Sequence, residues 1–204
     1  MTRRSDHDRA KEVPMTTVTV PNQLLTIEDW DALEETDASR YWELVDGTIV
    51  MNPFPSVGHQ LVGQRLVTRL GTQLPDGLVA LQHLGVTIEA QFPPTERGPD
   101  VVVFSRAQVR LDAPRLDPAH VRLVVEIVSP GSRRTDRIAK VADYQYAGIP
   151  AYWIIDPAAG DDGRFVAYEL VGVAYKEVAR GSGVITLERP FPVTIDVDEL
   201  LTFD

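Results

Sequence analysis

Two apolar runs, each carrying a single carboxylate, constrain this chain more than any other feature. The first is Gly98-Pro99-Asp100-Val101-Val102-Val103-Phe104, the second Leu123-Val124-Val125-Glu126-Ile127-Val128-Ser129-Pro130. Dense β-branched and apolar residues bounded by Gly, Pro and Ser predict strands covered on both faces. An ionised carboxylate in such a place is costly without a partner. Two of them at the edges of one core point to a cation there.

The remaining elements can be read around these two strands. Residues 1–14 are polar, mixed in charge and closed by Pro14, the composition of a disordered arm. Met15 is an alternative start. Thr26 with Asp29 three residues on is a helix-start signature, and a short helix is expected to run to about Glu35. Asp46-Gly47 between two apolar runs predicts a hairpin over 41–51, because its turn needs positive φ. Ser56 can cap a helix over 57–74 whose apolar face is Val57, Leu61, Leu66, Leu70 and Leu74, with Val62 and Val67 beside it. Strands are expected at 78–82, 84–91, 100–104 and 121–128, with a Pro-rich loop at 92–99. Thr135 is the expected cap of a helix reaching Tyr146, which Gly148 ends. Further strands are expected at 151–155, 164–171, 173–179 and 184–187, and a short helix near the C-terminus. The predicted class is α/β or α+β: a central mixed sheet flanked by the 57–74 and 135–146 helices, with 15–204 forming a single domain.

Composition narrows the chemistry. A chain of 204 residues can bury roughly 70% of its unfolded surface in one domain. It has no cysteine, so a metal must sit on oxygen or histidine ligands. No apolar run approaches a membrane span, and the N-terminal residues lack the apolar core of a secretory signal. A cytoplasmic protein with no membrane contact is the expectation. The formal net charge of −10 opposes binding to a polyanion, whose affinity comes largely from Lys and Arg on phosphates.

Alternation along a strand puts Arg122, Val124, Glu126 and Val128 on one face and Leu123, Val125 and Ile127 on the other. Asp100 opens its own strand. If the strands pair, the two acids lie side by side, where like charges repel by about 4 kcal/mol at an effective dielectric near 20. Hard oxygen donors suit Mg²⁺ or Mn²⁺. The most basic stretch of the chain follows at once, Ser129-Pro130-Gly131-Ser132-Arg133-Arg134-Thr135-Asp136-Arg137-Ile138-Ala139-Lys140. At helical spacing Arg133, Arg137, Lys140 and Tyr144 form one stripe, offering donors to phosphates. Two strand acids followed by a basic helix are the parts of a metal-dependent phosphodiesterase.

The order Glu43-Leu44-Val45-Asp46-Gly47, a helix with His59 near its start, Pro99-Asp100-Val101-Val102, Val125-Glu126-Ile127-Val128-Ser129-Pro130, Asp136-Arg137-Ile138-Ala139-Lys140 with Tyr144 four residues on, and Gly148-Ile149-Pro150-Ala151-Tyr152-Trp153-Ile154-Ile155-Asp156-Pro157 resembles the Uma-two family of putative restriction endonucleases. That family belongs to the PD-(D/E)XK nuclease superfamily, and the resemblance runs from about Leu24 to the C-terminus. It implies a restriction-endonuclease-like fold and Mg²⁺- or Mn²⁺-dependent cleavage of DNA. It further implies Asp100 and Glu126 as metal ligands and Glu43 as the upstream acid. The motif lysine is expected two residues after the glutamate, where this chain has Val128; Lys140 looks like its migrated counterpart. His59 matches a position often polar in the family. Arg133 and Arg137 are candidate phosphate ligands, and a homodimer is compatible with double-strand cutting.

Each of these residues also has a plainer account. Asp100 and Glu126 could be strand-edge acids satisfied by backbone donors or an arginine, and Lys140 a solvated helix lysine. Arg133, Arg134 and Arg137 could be a solvated face, while Tyr144, Tyr152 and Trp153 read as packing residues. His83 and His120 are assigned no role. The rival to an endonuclease is therefore a nuclease-fold binding or interaction module with little or no catalysis. A hydrolase of small phosphoesters is a third possibility. No Gly-x-Ser-x-Gly elbow, Walker loop or cysteine nucleophile is present.

Overall fold

A computed structural model describes residues 23–33 and 41–202. The arm at 1–14 and the alternative start at Met15 lie outside the described residues. Helix α1 (Ile27–Asp31) opens with the expected reciprocal cap, in which the Thr26 hydroxyl accepts from the Asp29 N–H and the Asp29 carboxylate accepts from the Thr26 N–H. It ends at Asp31; the predicted extension to Glu35 passes into residues 34–40, outside the described set. Strands β1 (Trp42–Val45) and β2 (Thr48–Met51) form the hairpin, with Asp46 at φ 48° and Gly47 at φ 72°.

Helix α2 (Val57–Gly71) is capped by Ser56. A single helix presents one stripe to a sheet, and here it is Val62, Leu66 and Leu70 that are buried. Val57 and Leu61, expected on the apolar face, are exposed. They lie on the neighbouring stripe, which the sheet does not reach.

The sheet beneath α2 has six strands: β3 (Leu78–Gln82), β6 (Val101–Ser105), β8 (Val121–Ile127), β9 (Ala151–Ile155), β10 (Phe165–Val171) and β11 (Ala174–Gly181). Their order is β11-β10-β9-β8-β6-β3. Only β8 and β9 run parallel, so the sheet is mixed, as the sequence predicts. A second sheet, ordered β2-β1-β5-β4-β7, adds β4 (Gly85–Glu89), β5 (Thr95–Arg97) and β7 (Arg115–Leu116) to the hairpin. Strand β5 corrects the expectation of a loop over 92–99. Its residues are Thr, Glu and Arg, all buried, so it carries none of the apolar signal by which strands are recognised. Strands β12 (Val184–Leu187) and β13 (Val193–Asp196) pair with each other, and helix α4 (Val197–Leu201) follows; β13 was not anticipated.

Helix α3 (Lys140–Tyr146) continues from a wider, π-helical turn over Thr135–Ala139. The Asp136 N–H already donates to the Ser132 carbonyl at 2.9 Å. Helical bonding therefore begins upstream of Thr135, and this residue is not the cap that its sequence position suggests.

Two cores sandwich the six-stranded sheet. One joins Val101, Val103, Leu123, Val125, Trp153 and Phe165 to α2, α4 and the β12–β13 hairpin. The other joins Val102, Val124, Ile154 and Val166 to Tyr144 of α3 and to Val86, Ile88 and Leu116 of the second sheet. Along β8 the alternation holds from Leu123 onward but slips before it. Leu123 pairs with Val103 and Val121 with Phe104, so the strand carries an extra residue at Arg122, a bulge that breaks the alternation there. No helix among the described residues is long and apolar enough to cross a membrane.

Candidate active site

Val101 pairs with Val125 across antiparallel β6 and β8. Continuing that register one step places Asp100 opposite Glu126, the juxtaposition expected from the sequence. Asp100 Oδ2 accepts a 2.7 Å hydrogen bond from the Ile127 N–H. Glu126 lies on the face covered by α3, buried at 3% exposure. Its Oε1 accepts from the Tyr144 hydroxyl at 2.6 Å and pairs with Lys140 Nζ at 2.9 Å.

Lys140 is the hub. Besides Glu126 it holds Glu43 Oε1 at 3.0 Å, and Asp136 Oδ1 stands 3.9 Å away. Glu43 arrives from β1 in the second sheet, so this one ammonium ties both sheets to α3. Arg97 of β5 completes the Glu43 environment: its Nη1 lies 2.9 Å from Glu43 Oε2, and its Nη2 lies 2.6 Å from Asp143 Oδ2. The Gly98 N–H donates to Glu43 Oε1 at 3.1 Å. Lys140 thus meets Glu126 directly, and Glu43 joins the group through Lys140.

The protonation states follow from these neighbours. Burial disfavours charge on Glu43, but Lys140, Arg97 and the Gly98 N–H together hold it below the usual carboxylate value. Burial likewise disfavours the Lys140 ammonium, yet Glu126, Glu43, Asp136 and Asp100 outweigh it and raise its pKa. Glu126 moves the other way. Burial and then the charges of Asp100, Asp136 and Glu43 push it well above the ordinary range in spite of Lys140. Asp136 is raised chiefly by burial. This is an acid cluster with more negative charge than its cations neutralise.

His59 reaches the rim from α2. Its Nε2 lies 2.9 Å from the Ile127 carbonyl oxygen and 3.2 Å from Asp100 Oδ2. Burial would lower its pKa, but the contacts with Asp100 and Ile127 reverse the sign and raise it. His83 bonds Gln60 through its ring. Asp100 and His59, with side chains 16% and 13% exposed, are the open side of a cluster whose Lys140, Glu126 and Glu43 are 8%, 4% and 3% exposed.

The basic stripe divides. Lys140 and Tyr144 face the acids, whereas Arg133 and Arg137 both reach the buried Asp156, at 3.2 and 3.1 Å. The π-helical turn contains Arg137 and ends just before Lys140, and its wider winding turns Arg137 further from Lys140 than an α-helical turn would. Sequence reading missed Asp136, Arg97 and Asp143; it set Tyr144 on the donor stripe or in the packing, and not against Glu126. Asp136, Lys140 and Tyr144 at i, i+4, i+8 were the available signal for three of the members. Arg97 had none, since its segment read as a loop.

Among the described residues no group of three or more His, Cys, Asp or Glu side chains stands ready to hold a metal ion. The Lys140 ammonium sits between the carboxylates of Glu43 and Glu126 instead.

In structure the chain is similar to a crystallised putative nuclease belonging to DUF820 from Anabaena variabilis. The TM-score is 0.63 at 18% identity, over 87% of this chain and 97% of the other. That likeness shows the fold, which is restriction-endonuclease-like. No curated protein sequence matches the chain. The Uma2 family, described as putative restriction endonucleases, matches residues 27–199, and the protein belongs to that family.

Proposed function

We propose that this protein is a divalent-metal-dependent endonuclease that hydrolyses DNA phosphodiester bonds. The observation that carries the reading is the charge imbalance of the buried cluster. Glu43, Asp100, Glu126, Asp136 and Asp143 face two permanent cations, Lys140 and Arg97. Glu126 in particular is driven toward its protonated form, first by burial and then by the charges of Asp100, Asp136 and Glu43. Asp100 and Glu126 are the residues that would hold a divalent cation, and its charge would relieve that repulsion. The donor set, carboxylates from adjacent strands beside the Ile127 carbonyl, fits a hard ion such as Mg²⁺ or Mn²⁺. Such an ion, when bound, acidifies water and offsets charge on a phosphoryl oxygen.

The chain's own residues then divide the work. Lys140, held as an ammonium, orients the attacking water and stabilises charge; its raised pKa speaks against a proton-abstracting role. Glu43 and Tyr144 fix the positions of Lys140 and Glu126. Substrate approaches from the side of Asp100 and His59. The test is cleavage of plasmid, nicked, branched and single-stranded DNA with Mg²⁺ or Mn²⁺, beside calorimetry of Mn²⁺ binding. Glu126→Gln is expected to abolish both. Cleavage unchanged in Asp100→Ala or Glu126→Ala would overturn the mechanism.

A second reading, a nuclease-fold binding module without turnover, is favoured by one observation. Arg133 and Arg137, the expected phosphate ligands, are engaged by Asp156 in a chain of net charge −10. Absence of Mn²⁺ binding at millimolar concentration would favour that module.

A further inference from the structure

Among the described residues, four buried side-chain atoms make no hydrogen bond: Glu96 Oε2, Arg115 Nε, Asp136 Oδ1 and Arg164 Nε. The first two face each other as an ion pair at 3.0 Å. Asp136 Oδ1 is the one inside the acid cluster. An unsatisfied buried carboxylate oxygen is expensive, and this one is held in place with care. The Ser132 hydroxyl donates to the other oxygen, Oδ2, at 2.5 Å, and the Tyr152 hydroxyl donates to the Asp136 backbone carbonyl at 2.8 Å. The side chain is 2% exposed, and the free oxygen faces the Lys140 ammonium from 3.9 Å.

An ammonium has three donors. Two of those of Lys140 are used by Glu126 and Glu43, which leaves one, and Asp136 Oδ1 stands just beyond hydrogen-bond distance. Glu126 Oε1 is already shared by Lys140 and Tyr144. A divalent cation that takes up Glu126 repels the ammonium beside it. A displacement of about 1 Å toward Asp136 would turn the 3.9 Å separation into a hydrogen bond, and Glu43 can hold the lysine throughout.

We propose that Asp136 is a positioning residue: its free oxygen is the seat that Lys140 takes when a divalent cation claims Glu126. This rests on the metal-binding reading above. Without that seat the lysine remains on Glu126 and competes with the metal. Asp136 therefore acts on metal binding through Lys140, and not only through its own charge.

A double-mutant cycle read by Mn²⁺ calorimetry separates these. Asp136→Asn keeps the shape and cancels the acceptor charge. It is expected to weaken Mn²⁺ binding roughly fivefold to tenfold when Lys140 is present, and much less in a Lys140→Gln background. Equal losses in both backgrounds, or no loss in either, overturn the proposal while leaving metal binding intact. No Mn²⁺ binding by the unaltered protein overturns the metal reading and this proposal with it. A second measurement does not depend on the Asp136 variant folding. The chain has three lysines, Lys11, Lys140 and Lys176, so the Lys140 ammonium resonance is readily assigned by labelling lysine side chains with ¹⁵N. It is expected to shift on addition of diamagnetic Mg²⁺ in the unaltered protein. A resonance that does not move while Mg²⁺ binds counts against the reseating.

Discussion

Arg97 shows what the burial of charge costs at a single residue. Its guanidinium is almost fully enclosed and serves two acids on different elements, Glu43 and Asp143. Removing one partner of such a group leaves the others charged and dry. Arg97→Ala is expected to destabilise the fold by about 3–5 kcal/mol, read as a lower urea midpoint; a loss within the range of an ordinary surface substitution would mean that water enters the cluster. His59 is the residue whose effect depends on pH. Its folded pKa is raised above 6.5 by Asp100 and the Ile127 carbonyl. A raised histidine contributes stability in full below its unfolded pKa, and that contribution is lost as pH rises through the folded value. The unaltered protein is therefore expected to exceed His59→Gln in stability by more at about pH 5.5 than at about pH 8.5. Equal differences at the two pH values would show that the imidazole gains no charge in the fold.

Elements differ in how plainly the sequence announces them. The β8 and β9 strands, the Asp46-Gly47 hairpin and the Ser56 cap were legible because each is set by local pattern or by a turn that few residues can make. β5 was not, because its buried Thr95, Glu96 and Arg97 look like loop residues until their distant partners are seen: the Asp46 N–H on Thr95, Arg115 beside Glu96, and Glu43 and Asp143 on Arg97. The winding before α3 was also hidden. Helical periodicity assumes a constant turn, and one widened turn suffices to send Arg137 to Asp156 while Lys140 goes to Glu126. The strand pair bearing Asp100 and Glu126 was readable in advance, whereas the identity of their neighbours depended on chain crossings that local pattern does not encode. α2 illustrates the same limit: its apolar residues fill two adjacent stripes, and only tertiary packing selects Val62, Leu66 and Leu70. Leu66 is fully buried, and Leu66→Ala is expected to cost about 2–5 kcal/mol by urea unfolding. Leu61→Ala, on the exposed stripe, is expected to cost far less. Comparable losses would mean that the Leu61 stripe is covered in solution.

At the scale of the whole molecule the difficulty is charge. To act on DNA, a protein of net charge −10 must present cations close together, and Arg133 and Arg137, the two beside the acid cluster's helix, share one counter-charge, Asp156. That acid is 1% exposed, accepts from the Ala158 N–H at 3.1 Å, and draws in both Arg133 and Arg137. Its position fastens the start of the α3 segment to the end of β9, so it serves the fold while reducing the positive field near the acids. Asp156→Asn keeps an oxygen for the Ala158 N–H and cancels the charge. Each phosphate neutralised contributes a slope of about −0.9 to log K against log salt on duplex DNA. If the two arginines turn to phosphate once released, the variant should bind duplex more tightly at low salt, with a slope steeper by up to about two units. Fluorescence anisotropy on a labelled duplex across a salt series measures both quantities. An unchanged slope would place the DNA path away from α3, on the side opened by Asp100 and His59 alone.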